Sequence, residues 1–182
     1  MPPRVFPHRF ARLLELPWRR LVLSPQALAA RLPLRADSHV LEVGAGSGYY
    51  GVEVAKHVPR GRSVMFDVQP EMLERARAKT AAAGLSHAGF ATADAAALPF
   101  AAATFDVVFM VTVFGELGDA GACLREARRV LRPAGTLSIS EHLPDPDFSA
   151  FASVQRVVER NGFTVLDRLG PRWAWTANFR LA

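Results

Sequence analysis

The chain has 182 residues, half of them apolar, and a formal net charge of +5. This length suits one globular domain and excludes a second full one. The single cysteine, Cys123, excludes an intramolecular disulfide and a cysteine-based metal cluster, and no other set of residues has metal-ligand spacing. A lone thiol favours a reducing compartment, so the expected location is cytoplasmic. The longest apolar run, residues 107–114, has the length of a strand, so no membrane span is predicted.

The N-terminal arm, defined here as residues 1–35, precedes a domain that we expect at residues 36–182. The arm carries the excess positive charge, with seven arginines and a single acid, Glu15. Its prolines predict short, broken helices. Basic and apolar residues are interleaved over residues 9–21, and this pattern is compatible with three roles: a helix packed on the domain, a lid over a binding site, or contact with an anionic surface, either a membrane or RNA.

From residue 39 onward, short β-type runs alternate with helical patterns. Such alternation predicts a doubly wound α/β fold, in which a mostly parallel sheet carries helices on both faces. The last two strands are separated only by a short turn at Gly170, so they should pair antiparallel. In chain order we predict a strand at 39–43, a helix at 48–58, a strand at 63–68, a helix at 70–84, strands at 88–94 and 105–113, a helix at 120–131, a turn at 132–135, a strand at 136–142, a helix at 148–162, and strands at 163–170 and 173–181.

Three alternate glycines follow the first predicted strand, in the sequence E-V-G-A-G-S-G that begins at Glu42. In an open α/β sheet this loop lies at the carboxyl edge of the strands, where ligands bind. The spacing departs from the dinucleotide pattern G-x-G-x-x-G, because Tyr49 stands at the place of the third glycine. The loop suits a ligand with an amino-acid tail, since glycine allows close backbone approach and a nearby carboxylate attracts an ammonium group.

The glycine loop resembles motif I of the class I S-adenosylmethionine-dependent methyltransferases, and three later segments resemble the same family. Asp67 ends the second predicted strand before P-E-M-L, T-A-D-A-A-A-L-P-F follows the third, and L-R-E-A-R-R-V-L-R-P-A-G-T-L lies beyond the fourth. One departure is Ala134, which replaces the first glycine usual in that turn. The resemblance covers residues 39–142 and is greatest for the small-molecule branch that includes the ubiquinone and menaquinone C-methyltransferases.

This resemblance implies a Rossmann-like sheet of seven strands in the order 3-2-1-4-5-7-6, with strand 7 antiparallel. It implies S-adenosyl-L-methionine as methyl donor, S-adenosyl-L-homocysteine as product, and an unidentified small-molecule acceptor, which can be lipophilic. No nucleic-acid substrate is expected, because the N/D-P-P-Y/F motif of the amine methylases is missing after strand 4. Asp67 would bind the ribose hydroxyls, and Asp94 the adenine. The expected donor-binding residues are Glu42, Gly44, Ala45, Gly46, Gly48, Asp67, Val68, Asp94, Ala95 and Val111.

Methyl transfer from a sulfonium needs alignment and exclusion of water more than a particular side chain. A general base is required only if the acceptor must lose a proton, so no catalytic residue is assigned. The candidates, each with its structural alternative, are Tyr49 (packing), Glu116 (a loop or cap acid), and Glu141 with His142 (a solvated loop entrance). A donor-binding protein without transferase activity, an RNA methyltransferase and a nucleotide-linked oxidoreductase remain alternatives, and the chain is expected to be a monomer or a homodimer.

Overall fold

The computed structural model describes residues 22–182, which form a sheet of seven strands with helices on both faces. The first 21 residues, and with them most of the N-terminal arm, lie outside the described residues. The strands are β1 (His39–Val43), β2 (Arg62–Asp67), β3 (Ala88–Thr92), β4 (Phe105–Val111), β5 (Leu131–His142), β6 (Phe163–Leu169) and β7 (Ala174–Leu181). The helices are α1 (Pro25–Ala29), α2 (Gly51–Lys56), α3 (Pro70–Ala82), α4 (Ala120–Val130) and α5 (Phe151–Arg160), and Phe114–Glu116 forms a 3-10 turn.

The sheet order is β3-β2-β1-β4-β5-β7-β6. Strands β1 to β5 pair in parallel, whereas β7 pairs antiparallel with both β5 and β6. The turn between β6 and β7 begins at Gly170, whose φ of +86° few other residues tolerate. These observations confirm the predicted fold class, the strand order and the antiparallel strand 7.

Two apolar clusters cover the opposite faces of the sheet. One contains Leu28 of α1 and Val54 of α2, packed on Val40 and Phe109 of the central strands. The other contains buried residues of α4 and α5, such as Leu124, packed against β4, β5 and β7. Because both faces are covered, every residue of β1 and β4 except His39 and Asp106 is buried, as their largely apolar sequences predict.

The described part of the arm packs on the first of these clusters. The Ser24 hydroxyl accepts a hydrogen bond from the backbone N–H of Ala27 at 3.0 Å and so caps α1. Leu23 and Leu32, on either side of the helix, are buried in the same cluster as β1 and β4. Within residues 22–182, no helix combines the length and the apolar character needed to cross a membrane.

The structure corrects several predicted boundaries. The helix predicted at 48–58 spans only Gly51–Lys56, because residues 46–50 form a turn in which Gly46 and Gly48 have positive φ. The helix predicted at 148–162 begins at Phe151. The turn predicted at 132–135 lies within β5 as an irregularity, where successive β4 pairings move from Leu131 to Thr136.

Candidate functional site

A cavity of about 510 Å³ opens at the carboxyl edge of the parallel strands. Its walls come from the ends of β1, β2 and β4 and from the loops that follow β1 to β5. This volume lies within the range of roughly 300–1,000 Å³ that small-ligand sites occupy. Nine of the predicted donor-binding residues line the cavity: Glu42, Gly44, Ala45, Gly46, Asp67, Val68, Asp94, Ala95 and Val111.

The three glycines of the loop after β1 have different surroundings, although all three have positive φ. A side chain at Gly44 would overlap Val113, and one at Gly48 would lie 2.9 Å from the Cβ atom of Ala76 in α3. Gly48 therefore packs the loop against α3 and does not line the cavity. A side chain at Gly46 would meet no atom within 4 Å. Because glycine has no side chain, this part of the cavity wall stays open.

Asp67 connects the end of β2 to the glycine loop. Its carboxylate accepts hydrogen bonds from the backbone N–H of Gly46 at 2.8 Å and from that of Gln69 at 2.9 Å. Burial raises the pKa of Asp67, and the backbone N–H groups partly oppose this rise. The carboxylate thus also supports the start of α3, while its remaining lone pairs are available to accept hydroxyl protons.

Glu42 lies on β1 and is only 3% exposed. Its Oε2 atom has no hydrogen-bond partner among the described residues. Burial raises the pKa of Glu42 well above its usual value, the charge of Asp67 raises it further, and the backbone N–H of Gly51 opposes the rise. A buried carboxyl with one unpartnered oxygen is costly, and a cationic group bound beside it would offset that cost.

This arrangement fits S-adenosylmethionine, the donor that the sequence resemblance implies. The unpartnered Oε2 atom of Glu42 suits an ammonium group, and the Asp67 carboxylate suits ribose hydroxyls. The space beside Gly46 allows close approach of a ligand to the backbone. At the far wall, Asp94 accepts from the backbone N–H of Ala96 at 2.8 Å, which orders the loop after β3. The apolar side chains of Phe66 and Val68 line the same cavity and suit a flat ring.

The structure separates the four catalytic candidates into two pairs. Tyr49 and Glu116 line the cavity, and the buried Tyr49 hydroxyl has no hydrogen-bond partner among the described residues. Glu141 and His142 do not line the cavity, and each is 1% exposed. The alternative that these two residues form a solvated loop entrance is therefore wrong, because both lie in β5 and pair with β7. Burial raises the pKa of Glu141 to about 8, and His142 Nε2 lies 3.4 Å from the Tyr50 hydroxyl.

Sequence reasoning missed several cavity residues, among them Tyr50, Thr112 and Asp145. Thr112 has a φ of +52°, which is strained for a β-branched residue, and its N–H donates to the Ser140 carbonyl oxygen at 2.8 Å. No sequence signal marks this conformation, since threonine normally favours a strand. Cys123 contributes to the wall but is buried, and burial raises its pKa to about 12, so it is a poor nucleophile.

Comparison with known proteins assigns this geometry to a family. A family model described as a methyltransferase domain matches residues 40–135, more than half of the chain. A demethylmenaquinone methyltransferase of Deinococcus radiodurans is 35% identical over 153 residues, which cover 84% of this chain and 59% of that protein. A ubiquinone/menaquinone biosynthesis C-methyltransferase of Roseobacter denitrificans is 32% identical over 148 residues, which cover 80% and 57%. The chain thus spans somewhat less than two thirds of the length of these relatives.

A solved structure shares the fold. The crystal structure of a SAM-dependent methyltransferase from Aquifex aeolicus superposes with a TM-score of 0.90 and 24% identity, covering 98% of this chain and 100% of that one. This likeness concerns the arrangement of the sheet and helices. The family match over residues 40–135, with which the shared fold agrees, shows that the chain belongs to the class I S-adenosylmethionine-dependent methyltransferase family.

Proposed function

We propose that this chain transfers a methyl group from S-adenosylmethionine to a small-molecule acceptor. The observation that carries the proposal is the pair of acids at the glycine loop. Glu42 is buried with an unpartnered oxygen, and Asp67 is hydrogen-bonded to the loop backbone. When bound, the donor supplies a methyl group activated by the positive charge of its sulfur. What the protein must add is alignment of the two reactants and exclusion of water.

Each wall of the cavity has a role in this proposal. Glu42 binds the ammonium group, Asp67 accepts from the ribose hydroxyls, and Asp94 with Ala95 holds the adenine. The loop glycines, Gly46 above all, allow the backbone to approach the ligand closely. Together these contacts fix the position of the reactive methyl group without any protein group taking part in bond formation.

Tyr49 and Glu116 are the two candidates that we place at the acceptor, because both line the cavity and neither is assigned to the donor. Either residue acts as a base only if the acceptor must lose a proton during transfer. Glu141 and His142 are set back behind the cavity wall, so we give them no direct part in the reaction.

The acceptor that we propose is a quinone-like or other small aromatic molecule. The relatives from Deinococcus radiodurans and Thermus thermophilus are named demethylmenaquinone methyltransferases, and another relative is named 27-O-demethylrifamycin SV methyltransferase. The short turn between β6 and β7, residues 170–173, leaves no room for an inserted recognition domain there. Both observations favour a small acceptor over a nucleic acid.

We further propose that the N-terminal arm, residues 1–35, acts as a lid or a peripheral membrane contact next to the domain of residues 36–182. Leu23, at the start of the described chain, supports the first role, because its carbonyl oxygen accepts from the hydroxyl of the cavity residue Tyr50 at 3.2 Å. A cytoplasmic location and a monomeric or homodimeric state belong to the same proposal.

Titration calorimetry tests the donor site directly. We expect the chain to bind S-adenosylhomocysteine and to bind NADH weakly or not at all, because the loop lacks the third glycine of the dinucleotide pattern. Tight binding of NADH without binding of S-adenosylhomocysteine would overturn the proposal in favour of an oxidoreductase.

A labelling experiment tests the transfer itself. Cell extract is divided into lipid, small-molecule and RNA fractions, and each is incubated with the chain and radiolabelled methyl donor. We expect a labelled product in the lipid or small-molecule fraction. Label confined to RNA would contradict the proposed acceptor class. If S-adenosylhomocysteine binds but no fraction becomes labelled, the chain is a donor-binding protein without transferase activity.

A further inference from the structure

Two loops line the end of the cavity to which no donor contact is assigned, here called the acceptor end. Loop A, residues 112–119, follows β4 and contributes Glu116 and Leu117, and loop B, residues 143–150, follows β5 and contributes Asp145. The loops touch at Gly115, where a side chain would overlap the carbonyl oxygen of Asp147. The shape of this end of the cavity thus depends on how the two loops are held together.

The carboxyl of Glu141 lies between these loops. Its Oε2 atom accepts a hydrogen bond from the backbone N–H of Ser149, in loop B, at 3.1 Å. Burial raises the pKa of Glu141, and the backbone N–H groups of Ser149 and of Phe114, in loop A, oppose this rise. On the other side, the Trp175 indole N–H donates to the Ser149 carbonyl oxygen at 3.2 Å, so Ser149 is held through both of its backbone groups.

A carboxyl is an unexpected side chain at this position. Glu141 follows Leu137 and Ile139 on the face of β5 that packs into the apolar core, and its partner on β7 is the fully buried Trp175. Its Oε1 atom is buried without a hydrogen-bond partner among the described residues, and Asp145 and Glu116 raise its pKa further. Burying such a group costs stability, and an apolar residue would avoid that cost.

We propose that Glu141 is a positioning residue that fixes loops A and B against each other and so shapes the acceptor end of the cavity. The inference rests on the proposed transferase function. Glu141 acts through Phe114 and Ser149, and it touches neither donor nor acceptor. The donor contacts proposed for Glu42 and Asp67 lie on β1 and β2, outside both loops. Loss of Glu141 should therefore impair transfer more than donor binding.

The test compares Glu141→Met, which keeps the length of the side chain but removes its acceptor oxygens, with Glu141→Gln, which keeps one oxygen that can accept from the Ser149 N–H. The readouts are the rate of label transfer to the extract fraction that yields product, the Kd for S-adenosylhomocysteine by calorimetry, and amide hydrogen exchange. For Glu141→Met we expect transfer to fall by about tenfold or more, with the Kd changed by less than about threefold and with faster exchange in both loops. Glu141→Gln should restore transfer to within about threefold of the original rate.

A matched control is Glu126→Met. The Glu126 carboxylate also accepts from a backbone N–H, that of Leu98, at 2.8 Å, but in a different loop. Its loss should speed exchange around Leu98 and leave loops A and B unchanged. If Glu141→Met does not fold, Gly115→Ala tests whether the close approach of loops A and B governs transfer, because the new side chain would push loop A away from Asp147. It should lower transfer while S-adenosylhomocysteine still binds.

Three results would overturn the inference: unchanged loop exchange in Glu141→Met, equal loss of transfer in the Met and Gln variants, or a loss of donor affinity as large as the loss of transfer. If the unmodified chain binds S-adenosylhomocysteine but labels no fraction, the proposed function fails. In that case the exchange measurements still decide whether Glu141 holds the loops.

Discussion

Asp67 and Gly46, which lie on neighbouring segments of the sheet edge, are joined by a hydrogen bond of 2.8 Å from the backbone N–H of Gly46 to the Asp67 carboxylate. A second bond, from the Ala45 N–H to the Phe66 carbonyl oxygen at 2.9 Å, runs beside it. The loop that approaches the ligand and the acid that would bind the ribose therefore form one unit. Their relative position is set before any ligand arrives, which lowers the entropic cost of binding.

Replacing Asp67 tests this unit. We expect Asp67→Ala to weaken the binding of S-adenosylhomocysteine by about 1–3 kcal/mol, because the ribose hydroxyls lose their acceptor and the Gly46 N–H loses its partner. Calorimetry measures the change. Asp37→Ala is a suitable control, since Asp37 is a well-exposed acid that contacts Arg35 and does not line the cavity. Unchanged affinity in Asp67→Ala would refute the ribose assignment.

Alanine at two of the loop glycines should have different main effects, one on donor affinity and the other on the stability of the fold. Gly46→Ala should lower affinity for S-adenosylhomocysteine, because the new methyl group enters the open space at the cavity wall. Gly44→Ala should lower the Tm more strongly, because its methyl group would overlap Val113. Both changes also carry a backbone cost of about 1–2 kcal/mol for alanine at positive φ.

Gly84→Ala isolates that backbone cost. Gly84 follows α3, has a φ of +69°, and would place its side chain in open space away from the cavity. It should reduce the Tm about as much as Gly46→Ala does, while leaving the affinity unchanged. Equal affinity losses in the two variants would show that Gly46 acts only through folding.

Donor binding should depend on pH through Glu42. Burial raises the pKa of this carboxyl well above its usual value, so its protonated form persists in the free protein to a higher pH than that of an exposed glutamate. A bound ammonium group favours the charged form, so affinity should increase as the pH rises through this pKa, and binding should release protons. Calorimetry in two buffers with different ionisation enthalpies measures this release. Glu42→Gln should bind S-adenosylmethionine more weakly and should lack the Glu42 contribution to proton release. Identical proton release by the two proteins would contradict the assignment of Glu42 to the ammonium group.

Stability should also depend on pH, through Glu141. Burial raises its pKa from the ordinary 4.5 to about 8 in the folded protein, so between these values the folded chain retains a proton that the unfolded chain loses. The free energy of unfolding contributed by this group therefore falls as the pH rises through this window. Relative to the unmodified chain, Glu141→Gln should gain about 2–4 kcal/mol between pH 5 and pH 8, measured by urea denaturation. Parallel pH profiles for the two proteins would contradict the raised pKa.

Much of the fold could be predicted from the chain. Alternating runs of strand and helix character indicated the parallel sheet, because strands buried on both faces must be apolar throughout. The short turn at Gly170 indicated the antiparallel end, and the sheet order came from the family resemblance. Helix ends were less predictable, since the turn at residues 46–50 is held by contacts with β2 and α3, which no local pattern records.

By itself the sequence determined the family and the carboxylates at the sheet edge, because these depend on local patterns and on motif spacing, and the family resemblance then implied the order of the strands. Only the tertiary structure decided which of those residues meet. Gly48 packs against α3 and does not line the cavity. Glu141 and His142 are buried behind the cavity wall, because β7, some thirty residues later in the chain, pairs with the end of β5. The tertiary structure also placed Thr112 at positive φ. Burial and strain depend on neighbours that are distant in the chain, so these features follow from the packed fold and not from the residues taken in order.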